Sequence, residues 1–253
     1  MSTRIVRMES LPLYIDGMAY EVTADDLWHS HSLSQFIHRH VGRSAREVCG
    51  EGGCGACSVI VTRPFRVRNK PKKLFFETYS VATCITPVGD LAFSSITTPQ
   101  VRRALESTPA QEALQATNAA QCGFCTGGIV SVLDSACAGR DISCDDIERI
   151  LDGNLCRCTG YRAISEAAQM LCDDYEGEHS EEARAIRERA RRFRENLNDP
   201  ERFPAELRSA YEKYFCTDGT DGVALVERSD LGGARTRTDH EMQNAHVRPA
   251  SLQ

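Results

Sequence analysis

The sequence predicts an α+β chain in which a small domain of strands packed on one helix, residues 1–95, precedes a separate all-helical domain, residues 96–175. Three observations predict this. A glycine-rich loop with three cysteines, C-G-E-G-G-C-G-A-C from Cys49 to Cys57, lies between a helical pattern and β-compatible apolar runs. Thr98-Pro99 and Thr108-Pro109 are both helix starts, with a capping residue followed by proline at the first helical position. Helical periodicity then takes over at Leu114 and Ala120, at Ile129, Val130 and Leu133, and at Ile147, Ile150 and Leu151.

Each element has a local reason. Asp16-Gly17 sits between two short apolar runs and predicts a type I′ hairpin. Ser32 and Gln35 fit a capping box ahead of Leu33, Phe36, Ile37 and Val41, and Gly42 fits the end of that helix. Cys57 to Val61 reads as a buried strand, Arg63 to Lys73 as a solvated basic loop, and Leu74 to Cys84 as a further β segment. From 176 to 215 a narrow stripe of Ala183, Ile186, Ala190, Phe193 and Leu197 on a charged background predicts a charged linker helix. Residues 216–253 are polar and are expected to be a disordered tail.

Composition narrows the classes of function. A chain of 253 residues is long enough for one or two cores, and a net charge of −6 argues against a nucleic-acid or general phosphate-binding surface. No stretch is apolar enough to cross a membrane, and residues 1–30 lack the apolar core of a signal peptide. Twelve cysteines in such a chain are expected to be reduced or metal-bound in the cytoplasm rather than paired in disulfides.

The cysteine spacings carry the chemistry. Cys49, Cys54 and Cys57 with Cys84 downstream form C-x4-C-x2-C…C, the plant-type arrangement for a [2Fe-2S] cluster. Four thiolates around two ferric ions and two sulfides carry about −2, so the site needs compensating dipoles; Gly50, Gly52, Gly53 and Gly55 can aim backbone N–H groups at the sulfurs. A second quartet lies in the helical region: Cys122 and Cys125 in Q-C-G-F-C-T-G-G, then Cys156 and Cys158 in G-N-L-C-R-C-T-G-Y-R. A CxxC at a helix start would put both thiolates on one helix face, and Cys156 and Cys158 would need an extended turn, with Thr159-Gly160 opening the next helix. By ligand count zinc serves the second quartet nearly as well as [2Fe-2S]. The first quartet favours two clusters, because a tandem pair makes an electron path.

These motifs together resemble the iron–sulfur part of the molybdenum hydroxylases, meaning xanthine dehydrogenase, aldehyde oxidase and relatives with separate small subunits. The resemblance runs over roughly residues 10–172 and rests on C-G-E-G-G-C-G-A-C-S-V with Cys84, Q-C-G-F-C-T-G-G-I-V and G-N-L-C-R-C-T-G-Y-R. It implies a β-grasp, 2Fe-2S ferredoxin-like domain followed by a four-helix-bundle 2Fe-2S domain. It implies an electron-transfer component with no substrate site of its own, relaying electrons from a molybdopterin centre through two [2Fe-2S] clusters to FAD or another acceptor. The molybdopterin- and FAD-binding parts are expected on partner chains or missing domains. Cys122, Cys125, Cys156 and Cys158 would hold the molybdenum-proximal cluster, Cys49, Cys54, Cys57 and Cys84 the distal one, and Gln121 matches a glutamine that contacts the pterin. Gly127 and Ala163 depart from the family, which has proline at both places, the segment before Cys84 is long, and the match after Phe93 is poor. N-D-P-E-R-F-P-A-E-L is similar to the linker that precedes FAD in fused members, so a truncated, non-catalytic relative and a zinc-stabilised interaction module stand as alternatives.

Cys137, Cys144, Cys172 and Cys216 lack partners at ligand spacing and read as ordinary buried or neutral residues. His29, His31, His38 and His40 are dense, but two-residue spacing separates rings on a helix. No Ser-His-Asp set, paired carboxylates or phosphate loop stands out.

Overall fold

The computed structural model describes residues 4–42, 46–66, 74–102, 107–139, 142–215 and 222–226. The architecture is α+β. Strand β1 (Arg4–Met8) is followed by β2 (Ser10–Ile15) and β3 (Met18–Thr23), which pair antiparallel with Ile15 opposite Met18. Asp16 and Gly17 both take positive φ, 54° and 81°, as a type I′ turn requires. Two capping boxes then start two short helices: Thr23 with Asp26 opens α1 (Ala24–His29), and Ser32 with Gln35 opens α2 (Leu33–Phe36). A π-helical turn, Ile37–Val41, extends α2 and stops at Gly42, whose φ of 65° is left-handed.

Strands β4 (Ser58–Arg66), β5 (Leu74–Ala82) and β6 (Ser95–Thr97) complete a five-stranded sheet of order β3-β2-β6-β4-β5. Within this sheet β2 and β6 pair parallel and the other described pairs are antiparallel. The sequence pattern of β2 alternates, and Leu11, Leu13 and Ile15 point into a core with Leu33, Phe36, Ile37, Val59, Val61 and Ile96. The expected basic loop is in part strand, since Arg63 to Arg66 continue β4; Arg63 pairs with Glu77 across the β4–β5 ladder. Residues 67–73 of that run lie outside the described residues.

Helix α3 (Pro99–Arg102) starts where the Thr-Pro signal placed it, and Thr98 is pinned to the hairpin by donating its N–H and hydroxyl to Asp16 at 2.8 and 2.7 Å. Helix α4 (Pro109–Ala116) carries the second signal, a Thr108/Gln111 capping box with Pro109 in its first turn. Helices α5 (Thr126–Gly139), α6 (Ile147–Leu151) and α7 (Arg162–Gln169) then enclose a second core built on Leu114, Ile129, Leu133, Ile164 and Met170. Helix α5 also lies against β4 and β5, so the two cores share a sheet-to-helix boundary.

The expected linker helix is corrected by its burial. Residues 176–215 hold two helices, α8 (Ser180–Leu197) and α9 (Ala205–Phe215). Ala183, Ile186 and Ala190 of α8 belong to the helical core. The charges that suggested a linker are fasteners: Arg194 Nε donates to the Cys137 carbonyl at 2.7 Å, and Asn198 to the Ala138 carbonyl at 3.0 Å, near the end of α5, where carbonyls lack helical partners. Arg187 donates to the Cys172 carbonyl at 3.0 Å, and Arg189 pairs with Glu112. Helix α9 returns to the sheet, where Phe215 and Tyr211 pack on Phe93, and Phe203 on Phe76. The expected disordered tail is also corrected in one place: Gly222–Val226 forms β7, paired parallel with β1. Its V-A-L-V run supplies the β-compatible residues, while 216–221 and 227–253 lie outside the described residues.

Burial of Ile186 yields a test. Ile186→Ala should cost about 2–4 kcal/mol of unfolding free energy in denaturant titration, against about 0.5 or less for exposed Arg184→Ala. Equal, small effects would restore the linker reading.

Candidate metal centres

The glycine loop assembles the first thiol set. Gly50, Gly52 and Gly55 take φ values of 70°, 78° and 66°, turning successive N–H groups toward the sulfurs. Backbone N–H groups of Glu51, Gly53 and Cys54 reach Cys49, and that of Gly52 reaches Cys84. The thiols meet in pairs: Cys49 with Cys54, and Cys57 with Cys84 at 3.5 Å. Gly52 is favoured by its left-handed φ, and a Cβ there would also displace the end of the exposed Ile85 side chain.

The second set is built from two turns. Cys122 and Cys125 do not lie on a helix face, as the CxxC spacing suggested; α5 begins only at Thr126, and both cysteines sit in the turn ahead of it. Gly123, with φ 77°, makes that turn. Nor does Thr159-Gly160 open α7, which starts at Arg162 after Tyr161 in a left-handed conformation, φ 67°. Tyr161 serves the site: the Cys156 N–H donates to its hydroxyl at 2.7 Å, and that hydroxyl donates to the Asn154 carbonyl at 3.2 Å, fixing the Asn154–Cys156 turn. Pairs form again, Cys122 with Cys158 and Cys125 with Cys156.

The protonation pattern follows the pairing. The Glu51 N–H, then Cys54, draw the Cys49 thiol down to about 7, while burial, then Cys57, pushes Cys84 up to about 11. The Phe124 N–H lowers Cys122, and its partner Cys158 is raised by the shared bond. Burial, then Cys156, pushes Cys125 up to about 11; burial acts upward on Cys156 too, but bonds from Thr159 and the Thr159 and Cys158 N–H groups outweigh it and lower that thiol. In the second set each pair joins a lowered thiol to a raised one, Cys122 to Cys158 and Cys156 to Cys125, a donor set suited to metal.

Pairing also discriminates between metals. A single tetrahedral zinc needs all its sulfurs about 3.7 Å from one another. Among the described residues, no three of these eight sulfurs lie within 4.8 Å of one another, whereas each set offers two pairs, as two bridged irons require. The residues therefore fit [2Fe-2S] better than zinc.

A tight backbone seam joins the sets. The Leu155 N–H donates to the Cys54 carbonyl at 2.9 Å. A Cβ on Gly55 would meet the Gly153 carbonyl oxygen at 2.7 Å, and one on Gly128 would enter the Gly55 carbonyl and come 3.1 Å from Ala56 Cα. Arg46, just before the first loop, donates to the Gly123 and Phe124 carbonyls at 2.9 and 2.7 Å and stacks over the Phe124 ring. The departure at Gly127 has a local reason, since a Cβ there would press on Pro99 at 3.1 Å. Gln121 is exposed beside Cys122. Sequence reasoning missed Arg46 and the seam, which act across long sequence separations, and Tyr161, whose hydroxyl reaches back to the main chain five and seven residues before it. The histidines do not converge: His40 pairs with Asp26 at 2.6 Å and His29 with Asp25. Cys216 lies outside the described residues.

In the folded, metal-free chain, alkylation should label Cys49 with a half-maximal rate near pH 7, while Cys84 stays protonated and slow until well above pH 9. Peptide mapping after timed labelling from pH 6 to 10 reads this, and equal rates for the two thiols at pH 7 would refute the assignment.

Comparison with known proteins follows the same lines. Residues 97–169 match the model of the [2Fe-2S] binding domain family. The xanthine dehydrogenase/oxidase of Mus musculus is 34% identical over 171 residues, 66% of this chain and 12% of the relative. The probable aldehyde oxidase 1 of Oryza sativa subsp. japonica is 32% identical over 181 residues, 63% of this chain and 13% of the relative. The chain thus spans only a small fraction of the length of these curated relatives. Among solved structures, quinoline 2-oxidoreductase from Pseudomonas putida 86 superposes with a TM-score of 0.51 at 25% identity, over 72% of this chain and 96% of the matched chain. The chain is a relative of the xanthine dehydrogenases and aldehyde oxidases of the molybdenum hydroxylase family, resembles their iron–sulfur part alone, and carries a [2Fe-2S] binding domain at residues 97–169.

Proposed function

We propose that this chain is the electron-transfer component of a molybdenum hydroxylase, with two [2Fe-2S] clusters, one held by Cys49, Cys54, Cys57 and Cys84 and one by Cys122, Cys125, Cys156 and Cys158. Bound clusters would each carry one electron at a time, between a molybdopterin centre and FAD or another acceptor on other chains or domains. The arrangement of both thiol sets as two pairs, back to back across one backbone seam, carries this reading.

The chain's own residues do three things. Glycine-loop and turn N–H groups stabilise the negative sulfurs, which keeps the ligands in place and sets how readily added charge is accepted. The bond from Leu155 to Cys54 holds a residue adjoining one set against a ligand of the other, so their separation is fixed by main chain rather than by mobile side chains. Each set also opens at an apolar rim, Val48 and Ile85 beside the first, Phe124 and Leu155 beside the second, all more than half exposed or close to it. By resemblance the molybdopterin part would meet the second rim, where Gln121 is exposed, and the FAD part the first. We assign residues 1–95 to the first iron–sulfur domain, of β-grasp type, and 96–175 to the helical one, extended by α8.

Anaerobic reconstitution should load about four iron and four sulfide per chain and give two distinct [2Fe-2S] EPR signals on reduction. Cys158→Ser, at an exposed ligand, should reduce the iron to about two and remove one signal while sparing the other. Zinc without iron, or a single signal in the unaltered chain, would sink the proposal.

A further inference from the structure

We propose that Cys144, Cys172 and Asp174 form a third metal site, apart from both quartets, for one thiophilic divalent cation such as Zn2+. Their ligand atoms, two sulfurs and a carboxylate oxygen, lie within 4.8 Å of one another, and among the described residues this is the one such trio. The contrast with the quartets is chemical. Paired sulfurs suit a binuclear cluster, whereas three donors converging on one point suit a single ion.

The fold prepares this convergence from two segments. Cys172 follows α7 and is fully buried in the helical core. Cys144 begins the 3-10 turn Cys144–Asp146 that leads into α6, and the bond from the Asp173 N–H to the Ile142 carbonyl, 3.1 Å, ties that segment to the end of α7. Asp174 is exposed and gives the site its opening to solvent. Its carboxylate is oriented on both oxygens, one accepting from the Cys144 N–H and the other from the Ser143 hydroxyl, each at 3.0 Å. Held in this way it keeps a free lone pair on each oxygen, as a supported carboxylate ligand does.

Burial, acting first, pushes both thiols up, so an ion has to displace their protons and the bond between them, but their carbonyl contacts are weak. Cys144 faces the Gln169 carbonyl at 3.9 Å and Cys172 the Ala168 carbonyl at 3.6 Å, both long contacts. Tetrahedral zinc, with Zn–S of about 2.3 Å and Zn–O of about 2.1 Å, would draw the donors in by roughly 1 Å at most and leave a fourth position for water. Asp145, Asp146 and Asp173 flank the site; Arg149 offsets Asp146, Arg191 offsets Asp173, and Arg187 sits on the Cys172 carbonyl, so Asp174 is the carboxylate that faces the two sulfurs. Two thiolates and a carboxylate would leave the loaded site at a net charge of about −1.

The test uses the full chain with both quartets loaded with iron, equilibrated with Zn2+ and dialysed. Elemental analysis should find one zinc per chain beyond the iron, and absorption at the zinc edge should show two sulfurs near about 2.3 Å. Cys144→Ser with Cys172→Ser should lose the zinc at unchanged iron content. Because Cys172 is buried, Cys144→Ser alone and Asp174→Asn serve as variants that spare the core, each expected to weaken zinc binding by about tenfold or more. No retained zinc, zinc undiminished in all three variants, a zinc shell without sulfur, or a Cys144–Cys172 disulfide in the isolated chain would each overturn the site. Iron content reports separately on the quartets, so failure here is distinguishable from failure of the electron-transfer reading.

Discussion

The close approach of the Gly55 backbone to Gly128 and Gly153 is the constraint on which the remaining structure depends. Three main-chain segments, each next to thiol ligands, pass so near that no side chain beyond hydrogen fits between them. That nearness lets the Leu155 N–H reach the Cys54 carbonyl, and it puts the N-terminal end of α5 over the first cysteine loop. Once α5 is seated there, its length has to run along β4 and β5, which sets the helical core against the outer half of the sheet. A β-branched or bulky residue at Gly55 or Gly128 would open the seam and separate the thiol sets together.

Negative charge is the second constraint, and it explains the local irregularity of both sites. Sulfurs disposed to be thiolates cannot be stabilised by side-chain hydroxyls alone, so the chain spends residues on left-handed backbone at Gly50, Gly52, Gly55, Gly123 and Tyr161. Tyr161 is the informative case, since a large residue at positive φ carries strain. Its hydroxyl offsets that strain by binding both the Cys156 N–H and the Asn154 carbonyl, which locks the turn bearing two ligands. Arg46, three residues before Cys49, adds a cation across the sets; it grips the carbonyls beside Cys122 and Cys125, and so holds the turn without capping a ligand.

What could be read from the sequence was what is encoded locally. The Asp16-Gly17 turn, the Ser32 and Thr108 capping boxes and Gly42 each act within four residues, and they fall where expected. Helix α1 was missed although Thr23 and Asp26 form a capping box, because six residues display too little periodicity. The quartets were legible because ligand spacing is a covalent property of the chain. Helix phase was not: the CxxC suggested a helix face, but the need for N–H groups around Cys122 kept the segment in a turn. The Cys144, Cys172 and Asp174 cluster was illegible for the opposite reason, since its members are brought together only when the end of α7 folds back on the segment before α6.

Residues 176–215 show how charge can conceal a core element. Arginines 187, 189 and 194 line α8 in a pattern that, taken alone, describes a solvated rod. In the fold their guanidinium groups donate to main-chain carbonyls of neighbouring elements, Cys172 after α7, Ser107 ahead of α4 and Cys137 in the last turn of α5, where carbonyls lack helical donors. The stripe is narrow because only alanine and isoleucine need enter the core; the arginines supply the rest of the contact as hydrogen bonds. Helix α9 then crosses to the sheet and closes on Phe93 and Tyr14. The strap from α8 to α9 therefore touches both cores, and the seam at Gly55 is not the sole tie between them. A seam of a few backbone atoms buries too little apolar surface to hold two layers in register, whereas a strap seated on both makes their relative position a property of the whole described chain up to Phe215.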